Sequence, residues 1–273
     1  CFINGEPADS ILVSDRGLSY GHGLFETIKI SNKISPLLRY HLERLTEGAR
    51  AIGIACNEAL LKKYFYQLLE MTPEDGVVKI IVTAGSGKRG YFYNKPNSAC
   101  YILQWYPIDT NFSLPRAQGV SLKCCQHRLP ISPLLSGIKH LNRLDQVVAR
   151  AEWEDEFYDG LMLNQDDYVV ECVSSNIFIF KSGTWITPEI TECGVAGVMR
   201  RYLMDDLFPS TGYIVKEVKL TVNDLLSADE VFICNSIAGI LPVLSVDSHC
   251  SWPRGNYTQK IQKELYKVFP CYQ

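Results

Sequence analysis

The chain has 273 residues, 47% of them hydrophobic, enough to bury a sizeable core as one large or two medium domains. Its net charge of -3 comes from mixed signs throughout, which implies no basic face and argues against a nucleic-acid partner. The longest apolar runs, such as "VVKIIV" and "VFIC", are strand-sized and too short to cross a membrane.

In chain order, residues 2–37 read as strand, turn, strand, loop and strand, with "SNK" a polar turn after "FETIKI". Leu38, Leu42, Leu45 and Ala49 then recur at helical spacing, and "NEALLKKYFYQLLEM" predicts a second amphipathic helix. Two β-rich runs, "GVVKIIVTAG" and "ACYILQWYPI", flank the Gly-rich loop "GSGKRGYFYNKPNS". Polar, Pro-containing residues 108–117 are expected to link a small domain, 1–107, to a larger one, 118–273. The second part opens on the strand "GVSLKCCQ", and residues 134–152, "LLSGIKHLNRLDQVVARAE", read as an amphipathic helix. A hairpin-rich run with turns at "NQDD" and "KSG" follows, then the helix "GVMRRYLMDDLF" and "YIVKEVKL". A short helix after Thr221, the strands "DEVFICNS" and "GILPVLSV", and the closing helix "YTQKIQKELYKVF" complete the chain. The pattern is α/β with many antiparallel strands, not a regular βαβ alternation. "GSGKRGY" is neither a dinucleotide fingerprint nor a Walker loop.

No charged-then-apolar leader opens the sequence, so no secretory signal is expected. The ten cysteines are then expected to be cytoplasmic thiols. They form no C-x-x-C pair, neighbouring Cys124 and Cys125 cannot easily bridge, and the five histidines do not cluster with them, so no metal site is expected.

Several residues have the makings of chemistry. Ser136 is suited to cap the helix, which would place Lys139 in its first turn. That is a poor place for a structural lysine, because the helix dipole is positive there. The same field, with partial desolvation, favours the neutral amine needed by a nucleophile or base. The structural alternative is a stem that covers apolar surface while its head reaches water. Glu171 lies in an otherwise apolar run, and a buried carboxylate needs a partner. Holding a proton on a heteroaromatic nitrogen is one use for it; pairing with an arginine at a barrel lip is the other. Gly194 and Gly197 precede a helix whose first N–H groups suit an anion such as phosphate. Ser236, in the turn "CNSIAG", is placed to reach a phosphate oxygen. Arg44 stands beside the apolar stripe of its helix, either exposed or turned inward to fork onto an anion. Arg89, with Tyr91 nearby, sits on a loop of the kind that carries ligand contacts, or that is simply a surface turn.

Taken in order, "YGHGLFETIKI", "HLERL", "GIKHLNRLDQVVARAE", "ECVSSNIFIF", "GVAGVMR" and "DEVFICNSIAGILPV" resemble the class IV, pyridoxal-phosphate-dependent aminotransferase-like enzymes. That group takes in branched-chain and D-amino-acid aminotransferases and 4-amino-4-deoxychorismate lyase. The resemblance runs from near residue 3 to near residue 244, and "GSGKRGY" and "GIKHLNRLDQ" look most like the lyase members. It implies a fold-type IV enzyme with a smaller N-terminal α/β domain and a C-terminal domain built on a barrel-like sheet. It implies pyridoxal 5'-phosphate as cofactor and a homodimer with each site near the subunit interface. Lys139 matches the lysine that bonds to the cofactor, and Glu171 the partner of its pyridine nitrogen. Arg44, Gly197, Val198, Met199 and Ser236 match phosphate-binding positions. Arg89, Tyr91 and Glu26 fall to the substrate. Glu26 is carried by many aminotransferases of the group where some lyases have a small hydroxyl residue. "HLNRL" stands where aminotransferases carry a tyrosine. Folate-pathway lyase chemistry is therefore expected, with transamination of branched-chain or D-amino acids as the alternative.

Overall fold

The computed structural model describes residues 1–247 and 250–273. The chain divides into two compact units. One holds Cys1–Asp109 with Ile138–Asn142; the other holds Thr110–Gly137 with Arg143–Gln273.

The first unit is an antiparallel sheet covered by helices. β1 (Phe2–Ile3), β2 (Glu6–Pro7), β3 (Gly23–Ile30), β4 (Gly76–Thr83) and β5 (Cys100–Tyr106) lie in the order β2-β1-β5-β4-β3. A short helix, α1 (Arg16–Tyr20), precedes β3, and α2 (Leu38–Ala51) and α3 (Glu58–Glu70) join β3 to β4. The apolar stripe of α2 meets alternate residues of the strands: Leu42, Leu45 and Ala49 share a core with Leu24, Ile28, Val78, Ile80 and Leu103. Side chains of a strand alternate between faces, so Glu26, between Leu24 and Ile28, points into this same core.

The second unit is built on one large sheet. Its strands are β6 (Val120–Leu129), β7 (Asp159–Asn164), β8 (Tyr168–Cys172), β9 (Asn176–Lys181), β10 (Thr184–Pro188), β11 (Val215–Val218), β12 (Leu220–Thr221), β13 (Glu230–Asn235), β14 (Gly239–Val246) and β15 (Cys250–Ser251). They run in the order β11-β10-β9-β13-β14-β6-β7-β8-β12, with β15 on β14. Most pairs are antiparallel, and β6 pairs in parallel with both β7 and β14. The two ends of that order, β11 and β12, are separated in the chain by Lys219 alone. One residue spans less than 4 Å, so the sheet has to curl until its edges meet, which makes it a nearly closed barrel. Ile177, Ile179, Val231, Ile233 and Leu241 fill one face. The other face carries Phe178, stacked on Phe232 at 4.9 Å, and Trp185 edge-on to Phe232 at 4.9 Å. The helices of this unit are α4 (Ser113–Gln118), α5 (Leu144–Arg150), α6 (Val198–Tyr202), α7 (Phe208–Thr211), α8 (Val222–Leu226) and α9 (Asn256–Val268). A π-helical turn, Leu203–Leu207, joins α6 to α7. Thr221 and Asp224 form a reciprocal capping box on α8.

Two expectations change. Residues 108–117, expected to link the two parts, include the start of α4 at Ser113, and its Pro115 falls in the first turn, where no N–H is needed. The helix expected from Ser136 starts instead at Leu144. Gly137 takes a left-handed φ of +78°, which stops a helix, and the segment after it pairs with β3. Phe25 donates its N–H to the Lys139 carbonyl at 3.0 Å, and Leu141 donates to Gly23 at 3.0 Å. Lys139 therefore stands on an extended segment, and the helix-dipole argument for it falls.

Ile138 is what docks this segment into the first core. A Cβ on Gly48 of α2 would come within 3.2 Å of both Ile138 and Leu24. Gly48→Val is expected to cost about 1–3 kcal/mol through overpacking, read as a lower urea midpoint; an unchanged midpoint would show that α2 does not close on Ile138 as described.

Candidate active site

The first unit contributes a buried carboxylate with two basic partners. Glu26 is 1% exposed. His41 and Arg44 lie three apart on α2, hence on one helical face beside the apolar stripe, and both reach it. Arg44 forks onto the carboxylate, Nε to Oε1 at 2.8 Å and Nη2 to Oε2 at 2.5 Å. Nδ1 of His41 lies 2.6 Å from Oε2. Burial alone would raise the Glu26 pKa, but the charges of Arg44 and His41 and their hydrogen bonds outweigh it and hold it at about 2. Burial pushes the His41 pKa down, only partly offset by Glu26, and the charges of Arg44 and Lys139 push the same way.

Arg44 is thus turned inward, as one of its two readings had it, but its fork closes on a protein carboxylate. Glu26 does not face a substrate: it is sealed in the core, and both oxygens are engaged by α2. This corrects the expectation that placed it among the substrate contacts. His41 was not singled out from sequence, although its spacing from Arg44 was the signal available.

Lys139 sits one strand over from this group. Its Nζ stands over the Phe25 ring, 4.4 Å from the centroid. The backbone pairing with β3 fixes where its Cα stands. Arg89, Tyr91 and Phe92 lie on the loop between β4 and β5, all three exposed.

In the second unit, Glu171 lies on β8 and is 4% exposed. Its Oε2 accepts the Val195 N–H at 2.9 Å. Arg143 is its cationic neighbour: burial lowers the Arg143 pKa, and the charges of Glu171 and Asp145 act to restore it. The turn before α6 is shaped by Asn176, whose Nδ2 donates to the Val195 carbonyl at 2.9 Å. A Cβ on Gly197 would lie 1.8 Å from Asn176 Oδ1, so only glycine fits that point. Gly197 caps α6 with no side-chain acceptor, while the side chains of Val198 and Met199 are buried. Only their backbone N–H groups are offered at the helix start, as an anion requires. Ser236 follows Asn235, whose Oδ1 accepts the N–H groups of Ile237 and Ala238 at 3.0 and 2.7 Å. Nδ2 of Asn235 donates to Ser175 Oγ at 3.2 Å. Asn176 and Asn235, which hold these turns, were not foreseen from sequence.

Each unit by itself offers groups that suit a phosphorylated pyridine aldehyde: the first an amine on a fixed strand, the second a buried carboxylate and glycine-shaped turns offering N–H groups. All ten cysteines are free thiols. Among the described residues, which leave out His249, no group of His, Cys, Asp and Glu is placed to hold a metal ion, and no helix is long and apolar enough to cross a membrane.

Residues 23–246 match the family described as amino-transferase class IV. The chain belongs to that family. It is 33% identical over 268 residues to an aminodeoxychorismate lyase of Vibrio harveyi, covering 97% of this chain and 98% of that protein. The crystal structure of 4-amino-4-deoxychorismate lyase from Pseudomonas aeruginosa superposes with a TM-score of 0.94 at 42% identity, covering 98% of each chain. A D-alanine aminotransferase of Bacillus licheniformis is 30% identical over 258 residues, 93% of this chain and 89% of that one. A class IV amino-transferase fold accounts for the α/β unit and the barrel-like sheet alike.

The Glu26 group predicts acid sensitivity in two stages. The folded His41 binds its proton less readily than the unfolded residue at 6.5, so stability is complete above that pH and declines below it. Glu26 adds stability that is present above 4.5 and is lost as pH falls toward 2, ~3 kcal/mol in all. Melting temperatures taken between about pH 8 and pH 3 should show both declines. Glu26→Gln should cost about 3–5 kcal/mol at neutral pH and flatten the lower decline; a variant as stable as the parent would contradict the pairing.

Proposed function

We propose that this class IV enzyme is an aminodeoxychorismate lyase, converting 4-amino-4-deoxychorismate to 4-aminobenzoate and pyruvate with pyridoxal 5'-phosphate. The observation that carries the reading is the likeness, over nearly all of both chains, to the Pseudomonas aeruginosa lyase structure at 42% identity. "HLNRL" after Lys139 supports it.

When bound, the cofactor supplies an electron sink for the C–H bond that is broken. The chain's residues do the rest. Lys139 carries the cofactor and, once displaced by the substrate amine, is a free base. Its Nζ removes the proton from the ring carbon that bears nitrogen, and the neighbouring C–O bond to the enolpyruvyl group breaks. The ring becomes aromatic. Lys139 then returns the proton to the methylene carbon of the leaving group, which departs as pyruvate. Glu171, buried and steadied by the Val195 N–H, keeps a proton on the pyridine nitrogen. Arg44, Ser236 and the N–H groups around Gly197, Val198 and Met199 hold the phosphate. Glu26 and His41 stand behind Arg44 and fix its plane. Arg89 and Tyr91 meet a substrate carboxylate.

We also infer a cytoplasmic homodimer. Ten thiols suit a reducing compartment, and Leu144, Val147 and Val148, three and four apart on α5, give an exposed apolar face for a second copy. The second reading is an aminotransferase on D- or branched-chain amino acids, favoured by the 30% identity to a D-alanine aminotransferase.

Purified protein supplied with cofactor should release pyruvate and 4-aminobenzoate in equal amounts with no keto acid present. Lys139→Ala should abolish both products and the visible absorption of the lysine-bound cofactor. Turnover that needs a keto acid, or that survives in Lys139→Ala, would overturn the mechanism. Glu171→Gln should retain cofactor binding and lose about 100-fold in kcat, the range for a misplaced proton; full activity there would assign the ring nitrogen another partner.

A further inference from the structure

Residues 84–99, between β4 and β5, form a loop longer than the ~12–15 residues at which unstructured loops are usually functional. It presents Arg89, Tyr91 and Phe92 to solvent, the two aromatics 86% and 82% exposed. Yet the backbone beneath them is held. Arg16, the first residue of α1, is 3% exposed and lies under the loop. Its Nη1 donates to the Gly90 carbonyl at 3.0 Å and its Nη2 to the Tyr91 carbonyl at 3.1 Å. The third direction of the fork is closed by His22, whose Nδ1 accepts from Nε at 3.3 Å. The guanidinium also lies over two rings, 4.7 Å from that of Tyr20 and 5.3 Å from that of Tyr93. The Tyr20 hydroxyl accepts the Gly90 N–H at 2.8 Å. Gly90, at φ +90°, is thus gripped by both its N–H and its carbonyl.

A guanidinium keeps its charge when buried and must find acceptors. Those that Arg16 finds are two loop carbonyls and Nδ1 of His22. Any loop conformation that turns Gly90 and Tyr91 away strands a desolvated cation, which is costly. The residue held on both sides is the one directly after Arg89. We propose that Arg16 is a positioning residue for substrate recognition: with Tyr20 it fixes the backbone from which Arg89 meets a substrate carboxylate. This rests on the reading of Arg89 given above.

The test is Arg16→Gln in the full-length, cofactor-loaded protein. Hydrogen exchange at Gly90, whose N–H is bonded to the Tyr20 hydroxyl, should speed at least tenfold, roughly the loss of one hydrogen bond or more. KM for aminodeoxychorismate should rise about tenfold while kcat stays within about twofold, the split expected when binding alone is weakened. The cofactor dissociation constant should not move. Tyr20→Phe, which removes only the hydroxyl that takes the Gly90 N–H, should speed Gly90 exchange at least as much and raise KM by less, and serves if Arg16→Gln does not fold. Unchanged loop exchange overturns the proposal, as does a loosened loop with unchanged KM. Because exchange needs no substrate, its result is read apart from failure of the lyase reading, which would show as no pyruvate from the parent protein.

Discussion

A carboxylate in an apolar core is stable only with partners, and Glu26 has two. That requirement organises the first unit. The alternation of β3 turns Glu26 inward with Leu24 and Ile28, so α2 must bring polar groups to the strand without losing its apolar stripe. It does so by placing His41 and Arg44 on the shoulder of the stripe. The register of α2 against β3 is then set by hydrogen bonds as well as by packing. On its other side β3 takes the segment that bears Lys139. Phe25 and Glu26, adjacent in sequence and opposite in direction, relate the lysine to the buried group: one ring lies under the amine, and one carboxylate balances the cations behind it.

Glu26 illustrates how an acidic residue expected of aminotransferases fits a chain read as a lyase. A residue that contacts substrate would differ with the reaction. One that is sealed in the core and holds an arginine in a plane is tied to neither reaction. Its presence therefore weighs little between the two chemistries. The residues following Lys139 and the extent of likeness to the lyases weigh more.

Much of this was legible in the sequence where local rules decide. The stripe of α2, the turns at Asp167 and Ser182–Gly183, and the Thr221 cap all follow from spacing and residue type, and the structure has them. Lys139 was misread for a physical reason. Leu134, Leu135, Ile138 and Leu141 recur at helical spacing, but a left-handed Gly137 and a ladder to a strand far upstream decide the outcome. Spacing cannot report a non-local pairing. Arg16 was equally hidden: "SDRGLSYGHG" looks like a solvated turn, and only the folded loop covers it. Glu171, by contrast, stood out as a lone charge in an apolar run, and it is buried with a backbone donor and a nearby arginine as such a charge must be.

The single residue between β11 and β12 carries a consequence for how the second unit comes together. Neither strand pairs with the other; each finds its neighbour, β10 or β8, on a different part of the sheet. When the chain has been made as far as Thr221, both edge strands exist at once and are tethered almost end to end. Placing one delivers the other close to its own edge. Closure is then an encounter over a few ångströms, with little of the loop entropy that joining the ends of so long a sheet would otherwise cost.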